Sequence, residues 1–203
     1  MSQAQQREVE AMRRALAIAA TAGVPLSPNP RVGCVVLGPD GSVVGEGWHR
    51  GAGTPHAEVA ALAAAGDRAR GATVVVTLEP CNHSGRTGPC VDALLAAGVV
   101  RVVLAATDPN PVAAGGARRL RDAGVEVVEG VLADDAVALN PAWTFAMTHA
   151  RPWVTWKAAA TLDGRIAAAD GTSRWITSPE ARAEVHDLRS QVDAIVEIGR
   201  AHV

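Results

Sequence analysis

Between His56 and Cys90 the chain carries three metal-ligand side chains, His56, Cys81 and Cys90, with a carboxylate, Glu58, two residues after the histidine. This set constrains the fold, because ligands so far apart in sequence reach one ion only if the elements between them return to a common edge. Thr54-Pro55 is expected to open a helix, with Thr as N-cap and Pro at the first helical position, so His56 and Glu58 fall in its first turn. The run Ala72–Leu78 reads as a strand that delivers Cys81 just past its end, where ligands collect in open α/β sheets. Zn²⁺ takes tetrahedral N/S coordination, and three protein ligands leave a fourth position for water. A structural zinc is the competing reading, but closed sites of that kind carry four ligands. His83, between the cysteines, is the candidate fourth ligand; substrate contact or loop structure are its alternatives.

His-x-Glu followed by Pro-Cys and a second Cys, with the Glu outside the coordination shell, is the pattern of zinc nucleobase deaminases. In that pattern Glu58 shuttles protons between the activated water and a leaving amine. The usual spacing there is Pro-Cys-x-x-Cys. Here position 84 is Ser, and the second Cys arrives only at 90, again after a Pro. The widened loop, Glu79-Pro80-Cys81-x-His83-x-Gly85-Arg86-Thr87-x-Pro89-Cys90, resembles the deaminase half of the bifunctional riboflavin-biosynthesis deaminase–reductase family. The resemblance extends to Ser27–Cys34, Gly45–His49 and Asp108–Pro111, and it resumes at Lys157 and Leu162–Arg165.

That resemblance implies hydrolytic deamination of 2,5-diamino-6-(5-phosphoribosylamino)pyrimidin-4(3H)-one, with Zn²⁺ on His56, Cys81 and Cys90 and Glu58 as the catalytic proton carrier. It makes Asn29 a substrate contact, against the plain reading of a turn residue between two prolines. In the family a second domain of dihydrofolate-reductase-like fold uses NADPH to reduce the ribosyl group. Carried over residue by residue, Lys157 becomes a candidate reductase residue, Ala159 and Trp175 touch NADP, and Ser173 and Arg189 hold substrate. A nucleoside or nucleobase deaminase is the runner-up, disfavoured by the Gly85-Arg86-Thr87 loop; a structural zinc module and an NADPH reductase are the readings from other classes.

The rest of the pattern alternates. A helix over 4–22 ends at Gly23 and Pro25. Strands Val32–Leu37 and Ser42–Trp48 flank the Pro39-Asp40-Gly41 turn. After the metal loop come helix 91–97, strand 100–106, helix 113–123 and strand 125–131, so the expectation is a mostly parallel layer with helices on both faces. The expected fold is therefore a cytidine-deaminase-like α/β/α sandwich over residues 1–146. The first part of a dihydrofolate-reductase-like domain follows over 152–203, with strands at 153–157 and 193–198 and a helix from Ser178 to Gln191. Because the family's glycine-rich cofactor loop has no counterpart here, this second part is expected to bind NADPH weakly or not at all. Residues 197–203 are read as foreign to the family, which keeps His202 out of any metal site.

Net charge is −2 and there is no Lys/Arg run, which argues against nucleic acid as a partner. No apolar stretch approaches the roughly 20 residues needed to span a bilayer, and three cysteines fit a reducing cytoplasm better than a disulfide scaffold. Cys34 reads as a small core residue. Lys157 is the only lysine in a chain that otherwise uses Arg, which points to a position needing a compact ammonium. A homo-oligomer is expected from the family's habit.

Overall fold

The structure is a computed structural model that describes residues 2–21, 27–83 and 88–197. It divides into two compact units, Met1–Trp153 and Val154–Val203. The expected helix stop at Gly23 and Pro25, the Gly85-Arg86-Thr87 motif and residues 198–203 lie outside the described residues.

The first unit is built on a five-stranded sheet of order β2-β1-β3-β4-β5, from β1 (Gly33–Leu37), β2 (Val43–Trp48), β3 (Thr73–Leu78), β4 (Arg101–Ala106) and β5 (Glu126–Glu129). β1 is buried at every position, and β3 and β4 are buried at their four central positions. Such continuous apolar runs belong to strands covered on both faces. β1 pairs antiparallel with β2 and with β3, whereas β3, β4 and β5 pair in parallel. Four strands thus point one way and β1 alone runs against them. The reversal is made by the predicted turn: Gly41 takes φ +81, and the Asp40 carboxylate accepts from the Ser42 N–H (2.9 Å) and hydroxyl (2.7 Å).

Alternation along the strands divides the core. Val36, Val74, Val76, Val102 and Leu104 pack against α2 (Ala57–Ala65), α3 (Cys90–Ala96) and α4 (Gly116–Asp122); Cys34 is fully buried with them. Val35, Leu37, Val75, Val103 and Ala105 face α1 (Gln3–Ala19) and α5 (Ala133–Leu139). The result is the expected α/β/α sandwich. α2 sits very close to β2: a Cβ on Gly47 would lie 2.4 Å from the Ala61 nitrogen and 2.5 Å from the Ala57 oxygen. That close seat presses the start of α2 against the sheet edge where the site forms.

α1 starts on a capping box, with the Gln5 N–H bonding to the Ser2 hydroxyl (3.2 Å) and the Ser2 N–H to the Gln5 side chain (2.8 Å). Its buried Glu8 takes a forked pair from Arg101 at the start of β4 (2.8 and 3.1 Å), and Arg101 also meets Glu126 of β5. Arg101→Ala leaves the Glu8 carboxylate buried without its cation. A loss of about 3 kcal/mol is expected, a fall in Tm of roughly 6–12 °C, with Glu8→Leu/Arg101→Leu recovering part of it in a thermal melt.

α5 is a helix that the sequence pattern had not suggested, short and with two aspartates in its first turn. α6 (Pro141–His149) follows, with Pro141 in its first turn. In the second unit, α7 (Pro179–Ser190) starts on Ser178, whose hydroxyl accepts from the Ala181 N–H at 3.2 Å. The strands expected at 153–157 and 193–198 are not formed over the described residues. Alternation alone does not make a strand: it needs a ladder partner, and Val154 and Trp156 remain 77% and 87% exposed. No helix of the described residues is long and apolar enough to cross a membrane.

Candidate metal centre and its cavity

All the pieces of the site meet at one end of the sheet. β3 and β4 finish there, and so does β2, since Trp48 pairs with Gly33 at the start of β1. His56 is the N-cap of α2, in extended backbone and with no side-chain capping bond. The expected cap at Thr54 is therefore displaced by two residues: the Thr54 hydroxyl instead donates to Gly51 O at 2.8 Å, within the preceding turn. An N-cap imidazole free of the helix is available to the two sulfurs. Cys81 follows β3 after Glu79-Pro80, and Cys90 is the first residue of α3, just after Pro89.

The ligand atoms of His56, Cys81 and Cys90 lie within 4.8 Å of one another. His56 Nδ1 is 3.2 Å from Cys90 Sγ and 3.5 Å from Cys81 Sγ. Zn–N and Zn–S bonds of ordinary length in a tetrahedron put N and S about 3.5 Å apart, so the three atoms fit zinc. His83 is not a member of the cluster, which argues against a closed four-ligand site; its Nδ1 is buried with no partner among the described residues.

Electrostatics agree with the donor set. The Cys81 thiol is pushed down to about 4, first by a hydrogen bond from Cys90 and further by His56. Cys90 is driven strongly upward by the same bond and by burial. Two thiolates this close cannot both be charged unless a cation lies between them. Glu58 is 4% exposed and burial pushes it up to about 7, a proton affinity suited to taking and returning a proton near neutral pH.

The cluster lies at one wall of a cavity of about 420 Å³, also lined by Asn29, His49, His83, Asp108, Asn110, Trp143 and Met147. Asn29 Nδ2 is 2.9 Å from His49 Nε2. His49 is 6% exposed, and burial lowers its basicity. Burial likewise raises Asp108 to about 6, with the neighbouring Glu79 and Cys81 charges adding to it.

Sequence reading missed Glu79. This carboxylate, 7% exposed, accepts from the Asp108 N–H (3.0 Å) with one oxygen and from the Gly115 (3.1 Å) and Ala117 (2.9 Å) N–H groups with the other. It thus ties the end of β3 to the loop after β4 and to the start of α4. Gly116 permits the approach, since a Cβ there would fall 1.8 Å from Pro80 O. The available signal was a carboxylate placed straight after an apolar strand, but its partners are backbone groups far along the chain. Glu79→Ala leaves three N–H groups without an acceptor. It is expected to lower stability by about 3 kcal/mol and to weaken zinc retention, read by thermal melt and metal analysis.

The remaining predicted residues lie in the second unit. Lys157, Ser173, Trp175 and Arg189 are exposed and Ala159 is half-buried. Arg182 sits over the Trp175 ring at 4.2 Å, and Arg189 pairs with Glu197 at 2.8 Å. No hydrogen bond among the described residues joins these five.

Comparison with known proteins places this geometry. The family described as the cytidine and deoxycytidylate deaminase zinc-binding region matches residues 5–106, and the RibD C-terminal domain matches residues 152–203. The chain is 52% identical over 186 residues to the riboflavin biosynthesis protein RibD of Escherichia coli, covering 91% of this chain and 50% of that protein. Acinetobacter baumannii RibD superposes with a TM-score of 0.85 at 47% identity, covering 91% of this chain and 52% of that one. A diaminohydroxyphosphoribosylaminopyrimidine deaminase/5-amino-6-(5-phosphoribosylamino)uracil reductase of Thermotoga maritima does so with a TM-score of 0.83 at 42% identity, covering 92% and 54%. The chain spans about half the length of these relatives.

Proposed function

The chain belongs to the RibD family, and from that premise we propose that its first unit is a zinc-dependent hydrolase. The proposed reaction deaminates 2,5-diamino-6-(5-phosphoribosylamino)pyrimidin-4(3H)-one. The observation that carries the reading is the convergence of the His56, Cys81 and Cys90 ligand atoms beside a buried Glu58, at the wall of a cavity lined by polar side chains.

His56, Cys81 and Cys90 would hold the zinc, which supplies Lewis acidity that brings the pKa of water near neutrality. Glu58 accepts the proton of the attacking water and passes it to the departing amine. A C–O bond forms at the amino-bearing ring carbon, its C–N bond breaks, and ammonia leaves with the proton. Asn29 and the polar groups of His83, Asp108 and Asn110 hold the pyrimidinone edge. Trp143 and Met147 cover it and exclude water, which strengthens these polar contacts.

On the same reading the deaminase domain is residues 1–146, and residues 152–203 are the opening of the reductase half. Lys157, Ala159, Ser173, Trp175 and Arg189 are then its candidate contacts to NADPH and substrate. The setting is cytoplasmic and the partners are small molecules.

Ammonia release from the diaminopyrimidinone phosphate, measured beside cytidine and guanine, tests the substrate assignment. The expected result is turnover of the first alone. Turnover of cytidine or guanine at comparable kcat/KM would replace it with the nucleoside or nucleobase reading.

A further inference from the structure

We propose that Asn140 is a positioning residue for substrate recognition: with His49 it sets the Pro28–Arg31 segment so that Asn29 offers its carboxamide oxygen, as an acceptor, to the cavity. This inference rests on the reading of that cavity as the pyrimidinone site.

The segment needs an external anchor. Pro28 and Pro30 have no N–H to donate, so the stretch before β1 has few backbone bonds of its own. Asn140, at the junction of α5 and α6, supplies them from 109 residues away. Its Oδ1 accepts from the Arg31 N–H at 2.7 Å and its Nδ2 donates to Arg31 O at 2.8 Å. One carboxamide thus pairs with both backbone groups of a residue, as a neighbouring strand would. Only a side chain with a donor and an acceptor does this; an aspartate would face the Arg31 carbonyl with a second acceptor.

His49 then fixes which way Asn29 points. His49 Nδ1 lies 3.2 Å from Pro55 O, and a carbonyl oxygen only accepts, so Nδ1 carries the ring proton. In the neutral ring Nε2 is therefore an acceptor. It lies 2.9 Å from the Asn29 carboxamide, which must turn its NH₂ group towards it. Asn29 Oδ1 has no protein partner among the described residues, and Asn29 lines the cavity.

An acceptor held there selects a ligand edge that presents N–H groups, a ring N–H or an exocyclic amine, over one that presents a bare ring nitrogen or carbonyl. The clamp also joins two walls, because α6 begins at Pro141 and carries Trp143 and Met147 to the same cavity.

The test uses the full, zinc-loaded chain with Asn140→Ala and Asn140→Asp. The expected result is a rise in KM of about tenfold, the loss of one well-made polar contact, with kcat changed by less than about threefold and zinc content unchanged. A purely structural role would instead lower Tm and the active fraction at unchanged KM, and that outcome overturns the proposal in whichever variant folds. Nitrogen NMR of the zinc-loaded wild type gives a readout that needs no turnover. His49 should be the Nδ1–H tautomer with an Asn29 amide proton bonded to Nε2, and the Asn29 signals should shift in Asn140→Asp while the His49 tautomer persists. An Nε2–H tautomer at His49 overturns the orientation. Were the wild type to release no ammonia, the proposed reaction would fall, and the tautomer and the Asn29 signals would still decide the clamp.

Discussion

Glu58→Gln is expected to keep its zinc and lose deamination by about 10²–10⁴-fold or more, the range for removing a general acid–base. Glutamine preserves the size of the side chain and its place in α2 but can neither take a proton from water nor return one to the leaving amine. The loss should therefore appear in kcat, with KM little changed, since the cavity polar groups are untouched. Metal analysis beside steady-state ammonia release checks both halves. If Glu58→Gln loses zinc, Glu58 is a ligand and the proposed division of roles is wrong.

Cys90→Ser should remove metal and activity together. Zinc prefers a thiolate to the hardly acidic serine hydroxyl, and a site left with His56 and Cys81 alone has too few ligands to hold the ion firmly. The expected occupancy after dialysis is well below one zinc per chain, against about one for the unmodified protein, and Cys81→Ser should behave likewise. Because Cys90 also opens α3 and its N–H faces Cys81 Sγ, some loss of local order accompanies the loss of metal. Zinc retained at full occupancy in both serine variants would remove the assignment of these residues.

The metal cluster was legible in sequence because its chemistry demands particular residue types: an imidazole, two thiols after prolines, and a carboxylate beside the histidine. The sandwich was legible because β1, β3 and β4 are continuous apolar runs separated by helix-length segments with glycine stops. Other features depend on partners that no local pattern announces. Glu79 serves backbone N–H groups at Asp108, Gly115 and Ala117, and Asn140 serves Arg31, 109 residues before it in the chain. In sequence Glu79 stands only as the first residue of the Glu-Pro-Cys motif, and Asn140 only as the residue before Pro141. The cap of α2 shifted from Thr54 to His56 because the Thr54 hydroxyl was taken by Gly51 O. Alternation at 153–157 predicted a strand, but the pattern encodes only which faces could be buried. Pairing has to come from elsewhere.

Deamination of the pyrimidinone is expected to depend on one zinc held by this cluster, with Glu58 as the proton carrier. The most direct test is to strip the full chain with a chelator and follow ammonia release from the diaminopyrimidinone phosphate as zinc is returned. The expected result is no release from the metal-free chain, a rise in proportion to bound zinc that levels off at one per chain, and a flat line for zinc-replete Glu58→Gln. Undiminished release from the metal-free chain, or release by Glu58→Gln at the unmodified rate, would contradict it.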